Sequence, residues 1–510
     1  MQKKKWMQTA LTVSFVSAIV LAGCGGGGEK GNTASPAAGD SSSPQAAKSS
    51  AKFTIEMLKE GGSSSIPADN FVKKQIDSKL NVDFKLNLIA NGPDMDNKLN
   101  VLAASNNLPD LMEIKNKALY QQLAKNGLLL DLDSYMGQLS GVKKLIGDDG
   151  FTKAKVNGKT YGFSRTPSFV PYSYWIRKDW LDKLGMKMPT TMDELYETAK
   201  AFAEKDPDGN GKKDTFGLVG DFATVMSPLY GYYGVGLPGA FYNKGDKMIN
   251  SLYDPDMKKA LETISKFVST PGVFEPEFSS AKVTTAQDKA FKGQAGIFFD
   301  QWASIMKDDQ VKTWKTANQN ADWVVLPPLQ GAQAVRTANI GPNGYIAIPK
   351  SLEKDKDKLN RILELLNYVS EGEGLNLVQY GVQDVHYKLD GSKVKLTEKA
   401  SEANYTWLYQ ITGRPEMEYL STKFPNQARY IQETAKFPEI KNYGPNVDTP
   451  DGYNAADVNR YVQEELLKFY VGKTPTADYD KFLNTLETKF NYKKLLEQGD
   501  KQLKELGYAK

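Results

Sequence analysis

Two alternating segments near the start of the folded region constrain the fold of this chain. Residues 53–57 and 82–88 alternate between apolar and polar side chains, as half-buried strands do, and residues 67–80 between them have a helical period. A helical pattern at 94–105 and an apolar run at 108–114 repeat the arrangement. Strand, helix and strand in this order predict a βαβ unit with parallel pairing. The amino-terminal region is therefore expected to be α/β.

The length of the chain predicts two such lobes. Residues 51–510 exceed the roughly 250–300 residues at which a single hydrophobic core stops growing. Helical patterns dominate after residue 173, and Thr191 and Glu194 form a capping box at the start of one of them. We expect further helices at 257–268, 356–369, 455–470 and 478–505, and short strands at 295–299, 323–326 and 345–348.

The first fifty residues predict export. Three lysines (3–5) precede an apolar run (10–21) that is shorter than the about 20 residues needed to span a bilayer, so residues 1–23 are interpreted as a signal peptide. The stretch ending at Cys24 is similar to a bacterial lipoprotein signal, in which that cysteine carries lipid such as palmitate. A plain signal peptide followed by a chance cysteine is the alternative. Residues 24–50 are then the lipidated cysteine and a flexible tether, and the protein is expected on the extracytoplasmic face of the cell membrane.

Composition excludes several function classes. The chain has 65 basic and 61 acidic residues, and loss of the three signal-peptide lysines leaves a nearly neutral protein with no case for nucleic acid. Cys24 is the only cysteine, so thiolate catalysis and disulfides are excluded. His386 is the only histidine, which excludes a histidine-rich zinc site, and no Gly-x-Ser-x-Gly motif accompanies it. A packed or surface imidazole is the alternative to a binding role for His386.

A polar loop after the capped helix has the spacing of a calcium site. Oxygen-bearing side chains occupy positions 1, 3, 5 and 9 of an EF-hand loop, with Gly211 at position 6: Asp206, Asp208, Asn210 and Asp214. The Lys212 carbonyl would supply position 7. Position 12 is Gly217, so the bidentate Glu is missing and Asp214 or Thr215 would have to complete the shell. We expect a structural Ca²⁺, with a solvated polar turn as the alternative.

Three aromatic segments indicate a sugar site. Residues 172–177, 298–302 and 404–407 mix rings with polar groups, which suits the apolar faces and hydroxyls of sugars, although core packing is the alternative. Residues 234–239 match the Gly-x-Gly-x-x-Gly pattern of a dinucleotide-binding motif but lack the preceding strand and the following helix that this motif requires. We interpret them as an aromatic loop at the mouth of a cleft.

Taken in order, several segments resemble a known family. They are 157–162, 174–181 with 189–191, 206–214, 293–299, 341–349, 381–387 and 464–472. The chain is similar to extracellular solute-binding proteins of the carbohydrate type, the lipoprotein component of ATP-binding-cassette importers. It most resembles their large calcium-containing subgroup, which includes alginate-oligosaccharide-binding proteins. The resemblance implies an α/β, two-lobe periplasmic-binding-protein-like fold of type II, with a hinge and a ligand cleft between lobes. The expected lobes are 51–165 plus 335–390, and 166–334 plus 391–510.

The resemblance also implies the function. An oligosaccharide would be captured without chemistry and passed to permease subunits driven by a cytoplasmic ATPase, and we expect a monomer that is not an enzyme. The implied calcium ligands are those of the loop at 206–214. Nine residues are expected in the cleft: Tyr161, Arg165, Trp175, Asp300, Trp302, Asn343, Tyr345, His386 and Trp407. The alternatives are a secreted glycoside hydrolase or lyase, and a binding protein or co-receptor for peptides or another solute.

Overall fold

Strands and helices are distributed along the whole of the region that the computed structural model describes, residues 52–90 and 92–509. The predicted signal peptide, Cys24 and the tether lie outside the described residues. The strands are β1 Phe53–Glu60, β2 Val82–Ile89, β3 Leu111–Ile114, β4 Lys155–Val156, β5 Lys159–Thr160, β6 Phe163–Ser164, β7 Tyr172–Arg177, β8 Phe216–Gly220, β9 Phe241–Lys244, β10 Lys247–Asn250, β11 Ala295–Gln301, β12 Trp323–Val325, β13 Arg336–Asn339, β14 Tyr345–Ala347, β15 Tyr387–Asp390, β16 Lys393–Leu396 and β17 Glu439–Asn442.

The helices cover the faces of the sheets and form most of the carboxy-terminal part of the described chain. They are α1 Phe71–Leu80, α2 Pro93–Ala104, α3 Lys117–Lys125, α4 Ser140–Thr152, α5 Lys178–Lys183, α6 Met192–Glu204, α7 Ser227–Tyr232, α8 Met257–Ser269, α9 Val283–Phe291, α10 Trp302–Met306, α11 Asp308–Ala317, α12 Lys356–Tyr368, α13 Gly372–Tyr380, α14 Glu416–Lys423, α15 Ala428–Ala435, α16 Ala455–Tyr470, α17 Tyr479–Phe490 and α18 Tyr492–Glu505. Within the described ranges, none of them is long and apolar enough to cross a membrane.

The first sheet confirms the predicted βαβ unit. Its strand order is β2-β1-β3-β14-β6, and β1 pairs in parallel with β2 and with β3. Strand β14 is antiparallel to β3 and β6. Alternation along β1 and β3 sends Met57 and Leu111 into one buried cluster and Leu58 and Met112 into another on the opposite face. The sheet is therefore covered on both faces.

The second sheet has the order β12-β7-β11-β8. Strand β11 is parallel to β8 and antiparallel to β7. Helix α6 packs closely on β8, since a Cβ on Gly217 would lie 2.4 Å from the Ala199 carbonyl oxygen. The predicted capping box begins this helix: the Glu194 amide donates to Thr191 Oγ1 (3.2 Å) and the Thr191 amide donates to the Glu194 carboxylate (3.2 Å).

The chain passes three times between the two sheets, and the first crossing segment touches the other two. The first runs from β6 to β7, the second from β13 to β14, and the third follows residues 408–411, which pack in the core of the first sheet. The amide of Thr166 donates to the Thr412 carbonyl (3.2 Å), and Asn343 Nδ2 donates to the Thr166 carbonyl (2.8 Å). The Arg414 amide donates to Thr166 Oγ1 (2.9 Å). We call Thr166, Asn343, Thr412 and Gly413 the crossing cluster.

Gly413 is required where two of the crossings meet. Its φ is +106°, which side chains of L residues rarely adopt. A Cβ there would also lie 1.9 Å from Thr166 Oγ1 and 2.8 Å from the Thr166 amide nitrogen. The close approach of the first and third crossings therefore depends on the absence of a side chain.

One predicted element has a different form in the structure. The single helix expected at 478–505 is two helices, α17 and α18, separated by Asn491. Asn491 has φ +55° and ends α17 in the left-handed conformation, which Asn tolerates better than most residues. The apolar period continues across this break, so periodicity alone did not reveal it.

Candidate functional site

A cavity of about 950 Å³ lies beside the crossing segments and the carboxyl end of β11. Its lining includes residues of the first crossing, α7 and the segments on either side of it, β9, β11, β13, β17 with the loop that follows it, α16 and α18. Its apolar wall includes Phe169, Tyr172, Phe241, Phe299 and Tyr453. A concave site of this size, with aromatic and polar side chains together, is typical of a small-molecule site.

Two of the rings form a stacked pair. The Tyr172 and Phe299 centroids are 5.7 Å apart, with planes inclined by 24°. They are neighbours because β7 and β11 are adjacent antiparallel strands, with Tyr172 opposite Gln301. Burial, and then the nearby carboxylates of Asp300 and Asp221, raise the pKa of the Tyr172 phenol. Tyr172 is therefore neutral at physiological pH and can present both a ring face and a hydroxyl.

An ion pair crosses the small parallel sheet on the cavity wall. Arg336 of β13 lies directly opposite Glu439 of β17. The Arg336 Nε donates to Glu439 Oε2 (3.0 Å), and Nη2 lies 2.9 Å from the same oxygen. Arg336 Nη1 donates to the Thr434 carbonyl (3.1 Å), and the guanidinium lies over the Phe169 ring, 5.6 Å from its centroid. Only 4% of Arg336 is exposed.

The loop after β17 is fixed by side-chain amides. Asn442 Oδ1 accepts from the Phe241 amide (2.9 Å) and from the Gly444 amide (2.9 Å), and Asn442 Nδ2 donates to Asn339 Oδ1 (2.8 Å). These bonds hold the loop at 237–241 against β17. The cavity wall is therefore preorganised by polar contacts within the protein.

Asp448 joins helices that belong to the two different cores. Lys117 Nζ lies 2.6 Å from Asp448 Oδ1, and Gln121 Nε2 donates to that oxygen (3.0 Å), both from α3 on the first sheet. Gln502 of α18 donates to Asp448 Oδ2 (2.8 Å) and accepts from the Asp448 amide (2.7 Å). Burial alone would raise the pKa of Asp448, but Lys117 and the two amides outweigh it and lower that pKa. We call these four residues the Asp448 clasp.

The predicted ligand residues on the second sheet are core residues in this structure. Trp175 is 0% exposed, and its indole N–H donates to the Asp300 carbonyl (2.9 Å). Trp302 is buried against Phe424, with ring centroids 5.1 Å apart. Asp300 is buried, and its Oδ1 accepts from the Gln301 amide (2.7 Å). Burial raises the pKa of the Asp300 carboxyl to about 6.

The predicted residues on the first sheet lie at its edge or in its core. Tyr345 is buried and stacks on Tyr120 at 4.0 Å, and Tyr161 is a half-buried neighbour in the same core. Arg165 Nη1 donates to Glu113 (2.7 Å) and Nη2 to the Gln410 carbonyl (2.8 Å). Asn343 belongs to the crossing cluster.

His386 and Trp407 lie away from the cavity. His386 is buried, its ring stacks on Phe71 at 4.5 Å, and its Nδ1 accepts from the Val382 amide (2.9 Å). Burial lowers the pKa of this imidazole. Trp407 is 39% exposed. In the part of the chain that the structure describes, none of the nine predicted ligand residues is among those that line the 950 Å³ cavity, so their binding role stays a prediction.

The polar loop at 206–215 turns back on itself. Asp206 Oδ1 accepts from the Gly209 and Asn210 amides (both 3.1 Å), and Asp206 Oδ2 accepts from the Gly211 amide (3.0 Å). Asn210 Nδ2 lies 2.7 Å from Asp208 Oδ2. A hydrogen bond with Asp208 lowers the pKa of Asp206, whereas burial and the same bond raise that of Asp208.

Two features of this loop bear on metal binding. Asn210 Nδ2 also lies 3.1 Å from Asp214 Oδ1, so three predicted ligand side chains converge. Thr215 Oγ1 instead donates to the Phe202 carbonyl (2.8 Å) and is buried in helix packing. Among residues 52–90 and 92–509, no group of three or more His, Cys, Asp or Glu side chains is arranged to hold a metal ion.

Several residues that line the cavity were not predicted from the sequence. Arg336 and Glu439 are 103 positions apart and meet only because β13 and β17 pair. Tyr172 and Phe299 fall within the aromatic segments considered above, but neither was chosen as a ligand residue. The interpretation of 234–239 as a loop at a cleft agrees with the structure, since Leu237, Pro238 and Gly239 line the cavity.

The sequence matches the model of one protein family. The profile of the bacterial extracellular solute-binding proteins matches residues 63–373. This chain therefore belongs to the bacterial extracellular solute-binding protein family.

Two relatives and one solved structure are also similar to this chain. The chain is 28% identical over 445 residues to lipoprotein LipO of Bacillus subtilis (strain 168), with 84% of this chain and 82% of LipO covered. It is 26% identical over 508 residues to the polygalacturonan/rhamnogalacturonan-binding protein YtcQ of the same organism, with 95% and 96% covered. The crystal structure of alginate-binding protein AlgQ2 without calcium ion is similar, with a TM-score of 0.62, 18% identity, and coverage of 88% of this chain and 97% of AlgQ2. The fold is thus the two-lobe α/β fold of solute-binding proteins.

Proposed function

We propose that this protein captures an oligosaccharide in the 950 Å³ cavity and delivers it to the permease of an ATP-binding-cassette importer. The observation that carries the proposal is the cavity itself, in which ring faces lie beside polar groups held in place by protein contacts. Sugars present apolar C–H faces that stack on rings and hydroxyls that bond to carboxylate and amide oxygens. The name of the relative YtcQ, a polysaccharide-binding protein, supports the same ligand class.

Capture requires binding and closure but no bond-breaking step. The crossing cluster is the proposed pivot. The sequence placed the third exchange between the lobes at residues 390 and 391, and we now propose exchanges at residues 165–171, 335–344 and 412–415, because residues 408–411 pack in the core of the first sheet. A ligand that contacts both lobes favours the closed arrangement by its differential affinity for it. The Asp448 clasp is a direct bond between the two cores and adds to the stability of that arrangement.

The loop at 206–214 is the proposed site of a structural Ca²⁺. Its side chains supply hard oxygen donors, and Asp208, Asn210 and Asp214 already converge. Asn210 now directs its amide nitrogen at two carboxylates, and an amide flip would turn its oxygen toward the same point. The ion would be held by oxygen donors of Asp206, Asp208, Asn210, Asp214 and the Lys212 carbonyl. The Thr215 hydroxyl is not proposed as a ligand, because it donates to the Phe202 carbonyl. When bound, the ion would neutralise the clustered carboxylates and fix the loop.

The proposed role also requires a membrane anchor and partner proteins. Cys24 is the proposed lipid attachment site, which would hold the protein on the extracytoplasmic face of the membrane, and the protein is proposed to act as a monomer. The partners would be permease subunits with a cytoplasmic ATPase. The lipoprotein relative LipO supports the anchor.

A thermal-shift screen of the purified protein against oligosaccharides, with calcium present, tests the proposal. A ligand at 100 times its Kd adds about 2.7 kcal/mol to the free energy of unfolding. We expect a clear shift with at least one saccharide, which chromatography recovers intact. The shift should fall to about half or less in Tyr172→Ala, which removes a cavity ring, and be retained in Trp407→Ala, which removes an exposed ring outside the cavity.

Other outcomes of this screen would point to the alternatives. A saccharide that is consumed during incubation would indicate a hydrolase or lyase. The absence of a shift with any saccharide would reject the proposal and favour a peptide or co-receptor role. For the metal, Asp208→Ala should abolish the calcium-dependent rise in melting temperature, and an unchanged calcium response would reject the proposed loop site.

A further inference from the structure

Arg336 is the one arginine among the described residues that line the cavity, and a protein carboxylate neutralises it before any ligand enters. Arg336 is paired on three of its nitrogens, because Nε and Nη2 meet Glu439 Oε2 and Nη1 donates to the Thr434 carbonyl. Its guanidinium is only 4% exposed and lies over Phe169. A bidentate cation of this kind is the preferred partner of a carboxylate ligand, and here a protein carboxylate already takes that position.

A lysine that contacts the cavity residue Asp448 is also paired with an acidic group. Lys117 Nζ lies 2.6 Å from Asp448 and donates to the Asn446 carbonyl (2.6 Å). It lines an adjoining pocket of about 390 Å³ whose charged residues are Lys117, Lys125, Asp448 and Asp451. Two positive and two negative side chains give that pocket no excess of positive charge.

Among the described charged side chains that line the cavity, the two acidic ones are partly exposed. Glu439 retains 27% of its side-chain exposure and Asp448 retains 31%, although both have cationic partners. Carboxylate oxygens accept hydrogen bonds from hydroxyls, which every sugar supplies. The same oxygens repel a ligand carboxylate, and within a cavity this repulsion is screened less than in water.

We infer that the cavity selects uncharged oligosaccharides and discriminates against uronic-acid oligomers, with Glu439 as the specificity-determining residue that neutralises Arg336. This inference rests on the proposed function and names the chemical class of its ligand. It separates the protein from YtcQ, whose name includes polygalacturonan, a polymer of carboxylate-bearing sugars.

Isothermal titration with a matched pair of ligands tests the inference. Short oligogalacturonides are compared with the same oligomers after methyl esterification, which removes the charge and keeps the sugar, alongside a panel of neutral oligosaccharides. We expect binding to at least one uncharged ligand, and for the free acids an affinity at least about tenfold weaker than for the esters. Free acids that bind as tightly as the esters, or more tightly, would overturn the inference while leaving an oligosaccharide receptor. The absence of binding to any saccharide would reject the proposed function itself.

A single substitution tests the role of Glu439. Glu439→Gln keeps the shape of the side chain and removes its charge, so the positive charge of Arg336 is no longer neutralised and attracts a ligand carboxylate in the cavity. We expect the affinity for free oligogalacturonides to rise about tenfold relative to that for their esters. Glu277→Gln makes the same change on a side chain that is 81% exposed and outside the cavity lining, and it should leave the ratio unaltered. An unchanged ratio in folded Glu439→Gln would overturn the assignment of Glu439, and the wild-type comparison decides the selectivity even if that variant does not fold.

Discussion

Replacement of Trp175 by Phe distinguishes a core residue from a ligand residue. The sequence predicted Trp175 in the sugar cleft, whereas the structure buries it completely between β11 and α15. Its indole N–H donates to the Asp300 carbonyl, and its ring packs edge-on against Tyr430 with centroids 5.6 Å apart. Phe keeps an aromatic ring and removes the N–H together with part of the ring volume.

The structure sets the size of the expected loss. Removing the donor leaves a buried carbonyl with one partner fewer, which costs about 1–2 kcal/mol. The smaller ring leaves a void in a closely packed core, which costs roughly another 1–2 kcal/mol. We therefore expect the free energy of unfolding to fall by about 2–4 kcal/mol, with sugar affinity unchanged within about twofold because Trp175 does not line the cavity.

Urea unfolding and titration with the sugar found in the screen are the two measurements. Tyr172→Ala is the matched variant, because Tyr172 is a half-buried ring on the same strand that lines the cavity. It should lose affinity by tenfold or more, on the order of one sugar-stacking contact, with a smaller loss of stability. Normal stability together with a large loss of affinity in Trp175→Phe would refute the reasoning and return Trp175 to the ligand site.

Three further predictions concern the clasp, the pivot and one buried acid. Asp448→Asn removes the charge that pairs with Lys117 and should weaken the closed state by about 1–2 kcal/mol. The radius of gyration of the protein with ligand should then be larger than that of the wild type. An unchanged radius would show that the Asp448 clasp does not stabilise the closed state. Gly413→Ala should lower the melting temperature by several degrees, because its φ of +106° and the contact with Thr166 both exclude a Cβ, and a neutral effect would contradict the packing of the crossings. Burial raises the pKa of Asp300 to about 6 in the folded state, so the folded protein binds the proton more tightly than the unfolded chain and stability falls as pH rises from about 4 to 6. Asp300→Asn should abolish this decline and add about 2–3 kcal/mol at pH 7.5 in urea unfolding, whereas parallel pH profiles of the variant and the wild type would disprove it.

Sequence patterns predicted the elements well where a local rule determines them. The alternation at 53–57 and 82–88 corresponds to β1 and β2, and the helical period at 455–470 has the bounds of α16. The capping box at Thr191 is also present, since it depends only on residues three positions apart. The break at Asn491 was missed because one left-handed residue hardly disturbs the apolar period.

The cavity could not be predicted in the same way. Trp175 and Tyr172 stand three positions apart in one aromatic segment, yet one is core and the other lines the cavity. Aromatic rings beside polar residues occur both in a protein core and in a sugar site, so composition does not distinguish a core ring from a cavity ring. The pairing of Arg336 with Glu439 depends on the alignment of β13 with β17, and neither segment carries a local signal of it.

The threefold passage of the chain between the sheets has a consequence for how the protein reaches its native state. Tyr345 of β14 must pair with Ile114 of β3, and the whole of the second sheet is encoded between them. The first sheet therefore cannot be completed during synthesis or export until most of the chain has emerged. Contacts of such long sequence separation slow folding, since the loop must close before its contacts form. We expect the second sheet to become protected from hydrogen exchange first during refolding, and a fragment that ends before β14 to remain without a stable first sheet.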